Sequence, residues 1–266
     1  FRIPMNVFPG FWAYAYLVLV DGHIVLIDTG SGYGDSNAHL EAGFDQASRA
    51  AGHTIRLEDL THILITHGHL DHILGLAGLI STFSRWETIE ELEIYAGKWA
   101  LERIRELIYG VVLRGAEPPM ALRLREIQPG LIFEEDDFSV SAFPVWHRGP
   151  DCFGFLFEEK ERRPFLPEKA EALNIPPGPW RRDLVNGQSV TLPDGRTVQP
   201  AEVLGPLREG IRLVHVGDVG RTQDLEVVCQ NADALVIEAT YLDEEVEMAN
   251  QFAHLTARRA AELAAR

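Results

Sequence analysis

The segment Thr66-His67-Gly68-His69-Leu70-Asp71-His72 restricts what this chain can fold into more than any other. It follows the apolar run Ile63-Leu64-Ile65 and sets three imidazoles and one carboxylate within the six positions His67 to His72. Burying a polar group without a partner costs roughly 2–7 kcal/mol, so a plain hydrophobic core does not accept this segment. A divalent metal does, because histidine nitrogen and aspartate oxygen are donors that Zn²⁺ takes readily. Residues i and i+2 of an extended segment point the same way, which lets His67 and His69 grip one ion. Asp71 and His72 fall where a helix starts and face a second position beside the first. A histidine-rich surface turn is the competing reading, but the ordered H-x-H-x-D-H pattern at the end of a strand argues against it. The segment predicts strand, metal loop and helix in succession.

The 266 residues suffice for one large α/β domain, and a hydrophobic share of 46% with a charged share of 24% is ordinary for a globular chain. No stretch reaches the roughly eighteen apolar residues of a membrane span. The run Tyr16-Leu17-Val18-Leu19-Val20 is too short and meets Asp21-Gly22, a turn between two strands. No basic segment precedes an apolar run, so we expect no secretory leader, no membrane contact and a cytoplasmic protein. Cys152 and Cys229 lack metal-ligand spacing and read as reduced thiols. A net charge of −16 argues against general nucleic-acid binding, which needs local Lys and Arg. The charge is uneven, however. Glu134-Glu135-Asp136-Asp137 and Asp243-Glu244-Glu245 are strongly acidic, whereas acids and bases nearly balance around Arg162-Arg163, Arg181-Arg182 and Arg196. That distribution is compatible with RNA held at a few points.

Periodicity predicts two strands over 13–28, a loop from Gly30 to Gly34 and a helix over 37–51 that ends near Gly52. A buried strand over 60–66 leads to a helix over 73–83, with the small residues Gly75, Ala77 and Gly78 for close packing. Next come a strand over 92–95, a helix over 98–109 stopping at Gly110, and strands around 122–133, 138–145 and 152–158. Residues 160–208 are rich in Pro and Gly and lack apolar periodicity, which suggests an extended, exposed insertion. Strands over 211–216 and 234–237 and helices near 243–251 and 256–265 complete the pattern. Sheets flanked by helices suggest an α/β fold of αββα sandwich type. The histidine- and aspartate-bearing motifs all land at strand ends, where loops carry chemistry on a rigid scaffold.

The H-x-H-x-D-H run, with Ile24-Val25-Leu26-Ile27-Asp28-Thr29-Gly30 upstream, resembles the metallo-β-lactamase-fold hydrolases. Phe143-Pro144-Val145-Trp146-His147 looks like the segment carrying that family's next histidine ligand, and Val214-His215-Val216-Gly217-Asp218-Val219 like its G-D-T metal-bridging motif. Ile237-Glu238-Ala239-Thr240 and His254-Leu255-Thr256 resemble the H-E-A-T and H-S-T motifs of the ribonuclease Z branch, the tRNA 3′-processing endonucleases. The stretches 168–179 and 187–196 are similar to the exosite arm of that branch. The resemblance covers roughly residues 60 to 266.

It implies one αββα domain over 1–266 with a protruding arm at 160–208, and two Zn²⁺ ions, with Mn²⁺ as an alternative. His67, His69 and His147 would hold one ion, Asp71 and His72 the other, and Asp218 would bridge them. Two ions about 3.5–4 Å apart make hydroxide available at neutral pH and clamp both oxygens of an in-line displacement. Asp71 would orient or deprotonate the attacking water. Glu238 and His254 would pair beside the metals, raising the histidine pKa so that it protonates the leaving 3′ oxygen. Asp28 would support a ligand by hydrogen bonding, while His62 and His215 read as satisfied core or edge residues. The implied partner is precursor tRNA, handled by a homodimer in which one subunit's arm reaches toward the other's active site.

The chain departs from the branch pattern at Ile237, Leu255 and Val219, where His, Ser and Thr are usual, and it lacks the glycine-rich opening and basic loop. Its start at Phe1 and end at Arg266 lead us to expect a longer natural polypeptide with a last histidine ligand beyond residue 266. Two other readings stand beside the leading one. A small-molecule metallo-hydrolase (phosphodiesterase, sulfatase or lactonase) fits the acidic charge and altered N-terminal region. A catalytically dead binding module has no physical reason to keep costly polar groups together.

Overall fold

A computed structural model describes every residue except Asp21 and Thr88, so the residue proposed to open the Asp21-Gly22 turn lies outside the described residues. Among the described residues, thirteen strands run in chain order: β1 Arg2–Phe8, β2 Phe11–Val20, β3 His23–Ile27, β4 His62–Leu64, β5 Glu91–Ala96, β6 Ala121–Glu126, β7 Gly130–Glu134, β8 Phe138–Pro144, β9 Phe153–Glu159, β10 Val190–Thr191, β11 Thr197–Val198, β12 Arg212–His215 and β13 Ala234–Val236. Ten α-helices among the described residues join them: α1 Ser36–Ala51, α2 Leu70–Ile73, α3 Gly75–Trp86, α4 Lys98–Arg105, α5 Pro167–Ala172, α6 Pro179–Val185, α7 Pro200–Val203, α8 Glu226–Cys229, α9 Val246–Phe252 and α10 Ala257–Ala264. One sheet has the order β1-β2-β3-β4-β5-β6 and the other β13-β12-β9-β8-β7. Neighbours are parallel from β3 to β6 and in the β12–β13 pair.

Side-chain alternation along the strands sorts the core into layers. Ile24 and Leu26 of β3 and Ile63 of β4 face α1, α3 and α4, in a cluster with Leu40, Phe44, Leu76, Ile80, Leu101 and Ile104. Val25, Ile27 and Leu64 point the other way and meet Phe138, Val140, Phe153, Phe155 and Phe157 of the second sheet. A third layer packs Val214, Val216 and Val219 against Leu255, Ala260 and Leu263 of the C-terminal segment. This is the expected αββα sandwich. Parallel strands buried on both faces read as continuous apolar runs, which is why 24–27 and 63–65 stood out in the sequence.

The structure also departs from expectation. Residues 2–8 form a strand, with Ile3, Met5 and Val7 buried in alternation. The helix expected over 73–83 starts at Leu70 and is interrupted at Leu74, so α2 is a single turn that follows the loop bearing His67 and His69. The helix expected to stop at Gly110 widens into a π-helical turn over Glu106–Val112, and Gly110 sits inside it. Gly75 performs the packing role assigned to it, because a Cβ there would lie 1.8 Å from the Thr29 carbonyl oxygen.

The chain divides into two compact units, residues 1–157 with 213–266, and residues 158–212. The second contains residues 160–208, expected as an extended insertion, and is instead a small compact fold of its own, because apolar residues scattered along it collect into one buried cluster. Its three helices each begin with proline, which suits the first helical turn because its missing N–H has no intrahelical partner there. A two-stranded hairpin of β10 and β11 joins them. Ala170, Ile175, Leu184, Val190, Leu192, Val198 and Val203 form its buried centre.

Candidate functional site

Four chain segments meet at the ends of β3, β4, β8 and β12. The loop after β4 leaves the strand with His67 and Thr66 buried and enters α2, where His69 is the N-cap in extended conformation. His67 Nε2 lies 2.8 Å from His69 Nδ1, and His147 Nε2 lies 3.3 Å from the same atom. Asp218 Oδ2 stands 3.9 Å from His67 Nε2, 3.4 Å from His72 Nε2 and 3.8 Å from His147 Nε2. Asp71 Oδ2 is 3.6 Å from His72 Nε2. All six sequence-predicted ligands therefore come together.

Four of the rings are held from behind. His67 Nδ1 is 3.0 Å from Thr66 Oγ1, His72 Nδ1 is 2.8 Å from Asp28 Oδ2, and His147 Nδ1 donates to the Ala253 carbonyl over 2.8 Å. His254 Nδ1 is 2.7 Å from Glu238 Oε1. In all four residues the supported nitrogen is Nδ1, which leaves Nε2 available, whereas His69 turns its Nδ1 toward the others. Outer partners of this kind fix the tautomer and direction of metal-binding imidazoles. Asp28 holds a left-handed backbone at φ 57° and also accepts from Thr66 N at 2.9 Å and Thr66 Oγ1 at 2.7 Å. It sits behind the site, as expected.

The electrostatics fit a cation. Burial pushes His67 well below the ordinary imidazole value and takes His147 down to about 4, so both rings stay neutral and keep a lone pair. Burial also opposes charge on His72, but the Asp28 and Asp218 carboxylates outweigh it and hold its pKa well above the usual value. Burial opposes ionisation of Asp218 too, and the positive charge of His72 overrides it. A pocket that draws a proton onto His72 in this way is one where a metal ion can replace that proton. Nitrogen and carboxylate donors in this ratio suit Zn²⁺, and the residues present fit the group the sequence implied.

Glu238 and His254 form the expected pair. Glu238 is anchored by Val219 N at 2.8 Å and Leu255 N at 3.2 Å. Burial alone would lower the His254 pKa, but the hydrogen bond and charge of Glu238 raise it. The Leu255 side chain takes no part in the site and is fully buried in the core. Sequence reasoning missed one feature: His147, Asp218 and His254 offer ligand atoms within 4.8 Å of one another. The groups His67–His69–His147 and His67–His72–Asp218 meet the same criterion. His254 thus adds a third donor beside His147 and Asp218, and its position after β13 in a histidine-bearing motif was the available signal.

His62 is satisfied as expected, 2.8 Å from Thr61 Oγ1 and stacked on Phe133. His215 corrects its assignment: it is buried, but both ring nitrogens lack a hydrogen-bond partner among the described residues. Burial takes its pKa down to about 4, and its ring meets Tyr16 edge-on at 4.7 Å. Packing rather than hydrogen bonding holds it. Cys152 and Cys229 are free thiols.

Trp99 sets the spacing of two ligand-bearing loops. A Cβ at Gly68 or Gly149 would meet its ring at 2.9 and 2.8 Å, and Gly149 holds φ 107°. Among the described residues, no helix is long and apolar enough to cross a membrane.

The metallo-beta-lactamase superfamily profile matches residues 13–163. The chain is 37% identical over 251 residues to Ribonuclease Z of Bradyrhizobium diazoefficiens, covering 94% of this chain and 79% of that one. To Ribonuclease Z of Haloferax volcanii it is 34% identical, covering 94% and 74%. In structure it is similar to human tRNase Z, short form, with a TM-score of 0.61 at 21% identity over 94% of this chain and 80% of that one. YhfI of Bacillus subtilis, a metallo-beta-lactamase fold protein, gives a TM-score of 0.58 at 15% identity over 94% and 72%. The structural likenesses establish the fold. With the two sequence matches and the superfamily profile, they place the chain in the ribonuclease Z family of the metallo-beta-lactamase superfamily.

Proposed function

We propose that this protein is a metal-dependent phosphodiesterase of ribonuclease Z type, which cuts precursor tRNA endonucleolytically and removes its 3′ trailer. The observation that carries the reading is the convergence of His67, His69, His72, His147 and Asp218 in a chain that matches Ribonuclease Z over most of its length. Two Zn²⁺ ions, or Mn²⁺ in their place, would be held by His67, His69 and His147 and by Asp71 and His72, with Asp218 between. Bound there, they supply Lewis-acid charge and lower the pKa of the attacking water.

The chain's own residues divide the remaining work. Asp71 takes the proton from the attacking water, whose oxygen bonds to phosphorus. The bond from phosphorus to the 3′ oxygen of the upstream nucleotide breaks. His254, protonated and held by Glu238, gives that oxygen its proton. The products are tRNA with a 3′ hydroxyl and a trailer with a 5′ phosphate. A second reading has His254 as a metal ligand, favoured by its place beside His147 and Asp218. His254→Ala decides between them: unchanged metal content with lost turnover supports the proton donor, and lost metal supports the ligand.

The insertion at 158–212 is assigned to holding the tRNA, in a cytoplasmic homodimer. It contains no histidine or cysteine, and nine acidic residues offset nine basic ones, so the whole −16 lies elsewhere. Arg163 donates to Gly205 O, Arg181 to Ile175 O and Arg196 to Leu173 O, so these three hold the insertion together. Of the five arginines singled out in the sequence, Arg162 and Arg182 remain for phosphate.

The test incubates the protein and Zn²⁺ or Mn²⁺ with a precursor tRNA bearing a 3′ trailer and, separately, with bis-p-nitrophenyl phosphate. Specific trailer release is expected. Turnover of the small ester alone would replace the reading with a small-molecule hydrolase.

A further inference from the structure

Three arginines lie around the metal cluster, and two are committed. Arg103 donates to the Gly68 carbonyl over 2.7 Å and covers Trp99. Arg221 is paired with Asp224. Arg148 is different. It is exposed and, among the described residues, makes no ion pair, although the chain has 40 acidic residues against 24 basic ones.

Its placement is nonetheless fixed at both ends. The preceding residue is His147, tied through Nδ1 to Ala253 O. The guanidinium lies 5.3 Å over the ring of Phe252, the residue before Ala253. Stacking on an aromatic face restrains a side chain that otherwise carries about 2 kcal/mol of rotamer entropy. The charge is close enough to act electrostatically on both His69 and His254. Leu255 is buried and offers no hydroxyl to an anion on this side.

An unpaired, preorganised guanidinium beside a metal cluster suits one ligand chemistry, the two non-bridging oxygens of a phosphodiester, which its planar fork meets bidentately. We propose that Arg148 clamps the scissile phosphate and is a catalytic residue. The proposal rests on the phosphodiesterase reading. The negative charge on those oxygens must be balanced through the transition state, and a donor aimed at it is worth about 10²–10³ in rate.

The experiment compares the parent with Arg148→Gln and Arg148→Lys on precursor tRNA and on bis-p-nitrophenyl phosphate. Bound metal, thermal midpoint and inorganic phosphate affinity by calorimetry are measured alongside. Arg148→Gln should lose about 100-fold in kcat/KM on both substrates at unchanged metal content and midpoint. Arg148→Lys should recover part of the loss, as a role in packing alone would not. Turnover of Arg148→Gln within twofold of the parent on both substrates overturns the clamp and leaves the tRNA reading standing. A parent that cleaves only the small ester, with a glutamine variant that fails on it, keeps the clamp and removes tRNA as substrate. If the parent cleaves neither, phosphate affinity decides: a tenfold loss in Arg148→Gln upholds the clamp, and equal affinity overturns it.

Discussion

The sandwich and the insertion solve opposite problems. The sandwich gathers all ten histidines and an excess of acid, and it buries costly polar groups behind hydrogen bonds so that they face one another. The insertion gathers eight of the fifteen prolines and a balanced charge, and spends three of its arginines on its own carbonyls. Chemistry demands donors held against their preference for water. Grip demands a rigid surface with a few free cations. The contrast predicts that damage to the sandwich stops turnover of every substrate, whereas damage to the insertion is felt only by RNA.

The largest expected effect tests the first half. Asp71→Ala should lower turnover of both precursor tRNA and the small ester by about 10²–10⁴-fold, with circular dichroism unchanged. Retained turnover would refute the role given to this carboxylate. Next, Asp28→Asn keeps a residue that tolerates the left-handed backbone but removes the charge behind His72. Metal affinity, measured by competition with a chelator, should fall about 10–100-fold.

The second half predicts smaller, selective effects. Leu184→Ala empties a fully buried position in the insertion. A cost of about 2–5 kcal/mol should loosen that unit. Precursor tRNA binding should weaken while small-ester turnover stays within twofold. Equal loss on both substrates would erase the distinction between the two units. The smallest effect is Arg182→Ala. If Arg182 meets one phosphate, the slope of log affinity against log salt should shrink by about 0.7–0.9. An unchanged slope would move the grip to other residues.

The sequence disclosed the sandwich far better than the insertion, for reasons of length and locality. Strands such as 24–27 and 63–65 are long enough for alternation and double burial to register, and the H-x-H-x-D-H ligands lie within one turn of chain. The hydrogen bond from His147 to Ala253 O joins residues 106 apart and involves a carbonyl, which no side-chain pattern can announce. The left-handed Asp28, which orients His72, is equally invisible. In the insertion no helix exceeds seven residues and the strands have two each, too short for any period to show. Its core at Ile175, Leu184 and Val203 assembles from isolated apolar residues. Arg163, Arg181 and Arg196 looked like RNA contacts because sequence cannot tell a free guanidinium from one bound to a nearby carbonyl.

The central claim is that the converging histidines and aspartates hold metal. Elemental analysis of the protein after zinc reconstitution and desalting tests it most directly, with Asp218→Ala as the control. The account predicts two ions per chain in the parent and a clear deficit in the variant. A folded parent that retains no transition metal would contradict it.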